Sequence, residues 1–283
     1  MYAGAALGTH QEHYDIVKNG LSDMGYFTST FTPGRFPLTD VLSLPVNLDD
    51  KAESTDIANA MYKRILHPEF KGVKMMSLNS CLTSYLWTKK PVHTLEDLKG
   101  LRIRAPGGHQ ANAVKGLGAA VIFFPLPDVY LALETGTIDG VVTDVPLFLT
   151  FKLYEQAKFG ALASFGCVSE GLIMNSNSWK KTPEDLKPFI EEVCSNSFRI
   201  THSFTAEDYK KWEKLIADKG VELYSLPPSE KKRWYAKFQQ NTRDWVEKLE
   251  NKGLPAKEAT IIFNEEATKR GFDVVSFPPE WQE

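Results

Sequence analysis

A chain of 283 residues with a formal charge of −3 is long enough for two α/β lobes of ordinary size. Its charged residues, 24% of the total, are interspersed without blocks of one sign, which excludes an electrostatic footprint for nucleic acid or an anionic membrane. The longest nearly apolar run, Gly160 to Val168, is far short of a bilayer span. Cys81, Cys167 and Cys194 are far apart and form no CxxC pair, so they read as three buried thiols and not as zinc ligands or a disulfide scaffold.

In chain order, Met1 is followed by Tyr-Ala-Gly-Ala-Ala-Leu-Gly, with no basic region and no long apolar core, so these residues do not read as an export signal. His10 to Gly20 predicts a short helix; its HQEH cluster lacks a third ligand at useful spacing and reads as a solvated first turn. Asp23 to Phe27 predicts a strand, with the polar Thr28-Ser29-Thr30 looping over its end. Asp49 to Leu66 is an amphipathic helix carried by Ile57, Ala58, Met61 and Ile65. Val73 to Leu78 and Thr83 to Thr88 are strands separated by a polar loop at Asn79-Ser80-Cys81.

Thr94 starts a short helix, with Asp97 in a capping-box-like position and Gly100 as its stop. Arg102 and Arg104 alternate with Leu101 and Ile103, so on a strand both guanidinium groups leave one face, and Pro106 ends the strand. Either arginine is then placed near a strand's carboxyl end, where open α/β sheets bind ligands. Gly107-Gly108 opens a helix, Ala120 to Leu126 is a buried-type strand, Asp128 to Glu134 a helix, and Ile138 to Thr143 a strand. Pro146 to Ala157 is helical, and Leu162 to Asn175 supplies one or two strands interrupted at Ser169-Glu170-Gly171.

Thr182 is an N-cap followed by Pro183, and no glycine or proline recurs until Gly220. One helix there runs about 37 residues, roughly 55 Å, enough to touch two lobes. Val221 to Leu226 is a strand, and Ser229 to Asn251 and Pro255 to Lys269 are helices. Alternating strands and helices call for mostly parallel sheets covered on both faces.

For catalysis the chain has no GxSxG, Walker or HExxH motif. Asp139 and Asp144 can be drawn as an acid/base pair, although an aspartate before Gly140 commonly turns or caps the backbone. For binding, a planar guanidinium on a strand end matches a carboxylate, while an ordinary ion pair accounts for it equally well.

The segments NGLSDMGYFTSTFTPGRFPLTDVLSLP, DLKGLRIRAPGG, DVYLALETGTIDGVV and GLIMNSNSWKKTPEDLKPFIEE, in that order, resemble the solute-binding subunits of TRAP transporters, the DctP-type family. The late IADKGVELYSLPPSE and NKGLPAKE extend the resemblance over most of the chain. It implies an α/β, two-lobed periplasmic-binding-protein-like fold with mostly parallel sheets and a long helix spanning both lobes. Residues 1–82 and 171–208 would form one lobe, and 83–170 and 209–283 the other. It further implies a periplasmic monomer without cofactor, closing on a small organic acid and delivering it to small and large permease subunits in the membrane.

On this resemblance Arg104 grips the ligand carboxylate, in a segment reading RIRAP where relatives have RVP. The polar contact after the Asp139-Gly140 strand falls on Thr143, with Asp144 beside it facing away or binding a ligand hydroxyl or amine. The acidic contact that sialic-acid-type members carry maps to Thr28, and their asparagine to Thr143, which argues against a sialic acid ligand. Ser29, Asn79, Ser84, Trp87, Leu126 and Trp179 are further wall candidates, with core packing the alternative for both tryptophans. Relatives carry a strand and helix before the segment matching Tyr2 to Gly8, so the first lobe is expected to lack those two elements. An enzyme acting on a small carboxylic acid and the sensing domain of a regulator are the rival readings; no DNA-binding segment accompanies the latter.

Overall fold

A computed structural model of the chain describes residues 6–32, 34–48, 50–123, 125–201 and 206–282. In order it forms α1 (His13–Lys18), β1 (Met24–Thr28), α2 (Lys51–Met61), β2 (Val73–Ser80), β3 (Tyr85–Thr88), β4 (Arg102–Arg104) and α3 (Gly108–Gly116). There follow β5 (Ala120–Ile122), α4 (Val129–Glu134), β6 (Gly140–Thr143), α5 (Val145–Thr150), β7 (Phe159–Ala161) and β8 (Ser169–Asn175). The chain continues with α6 (Ser176–Lys181), α7 (Lys187–Thr201), α8 (Ala206–Asp218), β9 (Glu222–Tyr224), α9 (Pro228–Glu250) and α10 (Ala256–Thr268). Local chemistry sets several ends: the Asp50 carboxylate accepts from the backbone of Ala52 and Glu53 to cap α2, and Lys152, left-handed at φ 52°, stops the helix expected to reach Ala157.

Two sheets result, ordered β1-β8-β2 and β5-β4-β6-β3-β7-β9. In the six-stranded sheet β4 runs parallel to β5 and β6, and β7 to β9, while β3 is antiparallel to both neighbours, so it is mostly parallel as expected. The three-stranded sheet departs from that expectation, because β8 pairs antiparallel with β1 and with β2. One cause explains both odd strands. β3 arrives from the first sheet and β8 from the second, and each enters between two strands from the opposite end.

These two crossings form the junction. Residues 81–84 join β2 to β3 and 162–168 join β7 to β8, side by side, with Cys81 N donating to Val168 O at 2.7 Å and Ser84 N to Gly166 O at 2.9 Å. β7 thus lies wholly before Leu162, where strand was expected to begin, and β8 runs uninterrupted through Ser169-Glu170-Gly171. Asn79 and Ser80 belong to β2 and not to a loop, and β5 is a short, partly exposed edge strand, not a buried one. None of the three cysteines forms a disulfide; Cys167 and Cys194 are buried as expected and Cys81 is half-buried.

The three-stranded sheet packs Phe27, Leu78 and Ile173 against α2 and α10 on one face. Its other face carries Met76 and Met174 beneath Trp179, Ile190 and Cys194 of α6 and α7. The six-stranded sheet turns Leu86, Ile103 and Val142 toward α3 and α9, and Trp87 and Val141 toward α4, α5 and α8. Both are three-layer sandwiches, as covered α/β sheets require.

A long helix does join the two cores, but it is α9 and not the expected stretch from Thr182. Thr182 closes α6, and the next helix begins at Lys187; residues 202–205 of the expected spine lie outside the described residues. α7 packs on the three-stranded sheet and α8 on the other. In the 23-residue α9, Trp234 and Phe238 enter the second core while Trp245, Val246 and Leu249 enter the first, about 34 Å of helix in all. The second half of α9 and all of α10 thus pack with the first core, whereas the sequence placed 209–283 in the second lobe.

His109, at the start of α3, stacks edge-on against Trp245 of α9 with ring centroids 4.8 Å apart. Burial holds its pKa at about 3, against an ordinary 6.5. Between those values the unfolded chain binds a proton that the native state refuses, so stability is lost as pH falls below about 6.5. His109→Phe should flatten the decline in urea midpoint between pH 6.5 and pH 4; an unchanged slope would assign it to other groups.

Candidate functional site

The arginines of β4 have separate fates. Arg102 is exposed and bound to the Asp139 carboxylate through Nε and Nη2, both at 3.0 Å, while its backbone N donates to the same group at 2.8 Å. That ion pair holds Asp139 below the usual carboxylate range. Arg104 is only 3% exposed, and burial lowers its pKa to about 10, so it remains a cation at neutral pH inside the protein.

Strand register places Arg104 opposite Ile122 of β5 and Val141 of β6, and Val141 opposite Trp87 of β3. Directly paired residues project from one face. Two residues along, Thr143 ends β6 opposite Tyr85, and its carbonyl accepts from Trp87 Nε1 at 2.9 Å. Asp144 then caps α5, its Oδ1 accepting from Leu147 N at 2.9 Å. Asp139 and Asp144 stand at opposite ends of β6, about 16 Å apart along an extended strand, too far for an acid/base pair on one bond.

The three-stranded sheet contributes a polar row, with Thr28 opposite Glu170 and Glu170 opposite Asn79. Glu170 accepts from Tyr26 through a short hydrogen bond and from Asn79 Nδ2 at 2.9 Å; Asn79 Oδ1 accepts from Thr55 at 2.8 Å, and Thr28 Oγ1 donates to Tyr26 Oη at 3.3 Å. Burial first, and the neighbouring Glu170 second, push the Tyr26 phenol far above its ordinary value, so it acts as a donor. Ser29 pairs its hydroxyl with that of Ser169.

Two glycines let the halves meet. Gly107 has φ 130°, and a Cβ there would lie 2.9 Å from the carbonyl oxygen of Thr30; at Gly108, φ 52°, it would lie 3.0 Å from Asp40 Oδ1. The segment after Arg104 thus touches the segment after Thr28. Arg104, Thr143 and Asp144 are assembled on one side, and Thr28, Ser29 and Asn79 on the other.

The remaining candidates lie elsewhere. Ser84 is buried in the crossing, hydrogen-bonded through its backbone to Gly166 and Phe165. Leu126 packs half-buried on the face that holds α4. Trp87 is a core residue stacked on Phe148 at 3.9 Å, though its edge borders a cavity of about 240 Å³. Trp179 follows the far end of β8 from Glu170 and packs beneath Lys74, 5.0 Å from its ring, away from the group. Sequence reasoning missed Tyr26 and Glu170; the available signal was Glu170 as the sole charge between Leu162 and Asn175. His10 and His13 stack at 4.8 Å, and among the described residues no group of three metal-ligating side chains assembles.

Residues 1–249 match the bacterial extracellular solute-binding proteins, family 7. A solute-binding protein of Albidiferax ferrireducens is 24% identical over 248 residues, covering 83% of this chain and 71% of its own. The C4-dicarboxylate-binding periplasmic protein of Rhodobacter capsulatus is 26% identical over 165 residues, 58% of this chain and 46% of its own. A TRAP solute-binding protein from Rhodoferax ferrireducens, crystallised with copurified benzoate, superposes with a TM-score of 0.84 at 23% identity, covering 94% of this chain and 85% of that one. One from Bordetella bronchiseptica, with bound mandelate, superposes with a TM-score of 0.82 at 24% identity over 94% and 86% of the two chains. The chain belongs to family 7 of the bacterial extracellular solute-binding proteins.

Proposed function

We propose that this family 7 protein captures a small organic acid between its two lobes and delivers it to the membrane permease of a TRAP transporter. The observation that carries the reading is Arg104, a buried cation at the end of a strand whose next residues, Gly107 and Gly108, come up against Thr30 of the opposite lobe. A guanidinium so placed supplies a paired donor fork to a carboxylate in a poorly screened setting. Benzoate and mandelate, bound by the similar structures, share that group. In this reading Thr143, Thr28 and Ser29 complete the contact, and Asn79, bonded to Glu170, orients that carboxylate. Residues 81–84 and 162–168 serve as the hinge, with α9 as the strut that the lobes flex against. We assign the protein to the periplasm and read it as a monomeric receptor. The separation of Asp139 from Asp144 removes the carboxylate pair on which the enzyme reading rested.

Thermal-shift screening of carboxylates tests this, since a ligand held only by the folded state adds about 2.7 kcal/mol at a hundred times its Kd. At least one of benzoate, mandelate, succinate and D-glucuronate should raise the melting temperature without being consumed. Turnover of the bound acid, or no shift with any small carboxylate, would overturn the proposal.

A further inference from the structure

The cavity beside Trp87 has a chemistry that sets the ligand class. It lies on the same face of the six-stranded sheet as Arg104: the register runs Arg104, Val141, Trp87, Gly160, Leu223 across five strands. Gly160 is what lets the next two side chains fold over the sheet, since a Cβ there would sit 2.7 Å from both Trp87 and Leu223. The resulting space, about 240 Å³, is walled mostly by Tyr85, Trp87, Val145, Ile216 and Leu223, with Trp212 of α8; Asn47 and Thr83 add polar groups at one side, the Thr83 hydroxyl being bonded to the backbone of Leu48. An apolar cavity of about 150 Å³ already holds a benzene ring.

Charge narrows the choice further. Among the described residues that line the cavity there is no Lys or Arg, and its one ionisable carboxylate, Glu213, is exposed at the mouth. A second carboxylate on the ligand would enter mostly apolar walls with no cation to receive it and Glu213 to repel it. A planar ring loses nothing by entering, and aromatic walls favour it by stacking or edge contacts. Arg104 and Trp87 are two strand spacings apart, about 10 Å, with the buried Val141 between them in the row, so an acid that reaches both passes over Val141.

We propose that the ligand is an aromatic monocarboxylate, held by its carboxylate at Arg104 and by its ring in the cavity beside Trp87. The inference rests on the reading of Arg104 as the carboxylate clamp, and its test separates the two. Calorimetric titration of the whole protein should give benzoate an affinity at least about tenfold tighter than succinate. Leu223→Trp, on an edge strand, fills the cavity and should weaken benzoate by about tenfold or more while the circular dichroism spectrum is kept. Glu213→Arg, at an exposed position, should narrow or reverse the preference by strengthening succinate. If succinate binds wild type as tightly as benzoate, or Leu223→Trp folds and binds benzoate unchanged, the aromatic assignment is wrong while the clamp stands. If no carboxylate binds, the clamp itself fails and the assignment with it.

Discussion

Replacing Arg104 by alanine should weaken benzoate binding by at least two orders of magnitude in a calorimetric titration. Removing one partner of a buried ion pair leaves the other charge uncompensated, at a cost of about 3 to 5 kcal/mol, and each 1.4 kcal/mol is about tenfold in affinity. Lysine at the same position should recover only part of the loss, because an ammonium lacks the planar fork. Arg102→Ala is the control. Its guanidinium is exposed and already committed to Asp139 in a pair that solvent screens, so affinity should change little. Equal losses from the two variants would mean that net positive charge, and not the Arg104 site, attracts the ligand.

Gly166→Ala should lower stability by about 2 to 5 kcal/mol in urea unfolding, the largest effect expected from a single methyl group in this chain. Gly166 has φ 84°, and a Cβ there would fall 2.1 Å from the carbonyl oxygen of Ser43 and 2.9 Å from that of Leu44. The left-handed conformation costs a non-glycine residue roughly 1 to 2 kcal/mol, and forcing extra atoms into packed structure about 1 to 3 more. The position is also fixed by its hydrogen bonds: Gly166 O accepts from Ser84 N at 2.9 Å and from Gln110 Nε2 at 3.3 Å. Because the crossing carries the hinge, the variant should also bind ligand more weakly than its lost stability alone predicts. A midpoint within experimental error of wild type would show that segment 43–44 moves aside freely.

The elements that could be read from sequence were those whose signal is local. β1, β6, α9 and α10 came from apolar periodicity within a few residues of their observed bounds, and the separate fates of Arg102 and Arg104 followed from motif position. What could not be read depends on pairing between distant segments. Nothing local in Ser169-Glu170-Gly171 announces a continuous strand; it is made one by β1 and β2 on either side, and Gly171 is needed because a Cβ would sit 2.6 Å from the Phe27 ring. The long glycine-free run after Thr182 suggested the spine, yet Trp234 and Phe238 in one core and Trp245 in the other decide that α9 carries that role. Glu170 was passed over because a lone charge acquires meaning only with its partners, and Tyr26 and Asn79 reach it from 144 and 91 residues away.

A crystal structure of the protein grown with benzoate tests the central claim most directly. The prediction is a carboxylate within about 2.7 to 2.9 Å of the Arg104 guanidinium nitrogens, between Thr143 and the Thr28–Ser29 segment, with the lobes closed upon it. A carboxylate bound away from Arg104, or Arg104 still engaged wholly by the protein while ligand occupies the cleft, would contradict it.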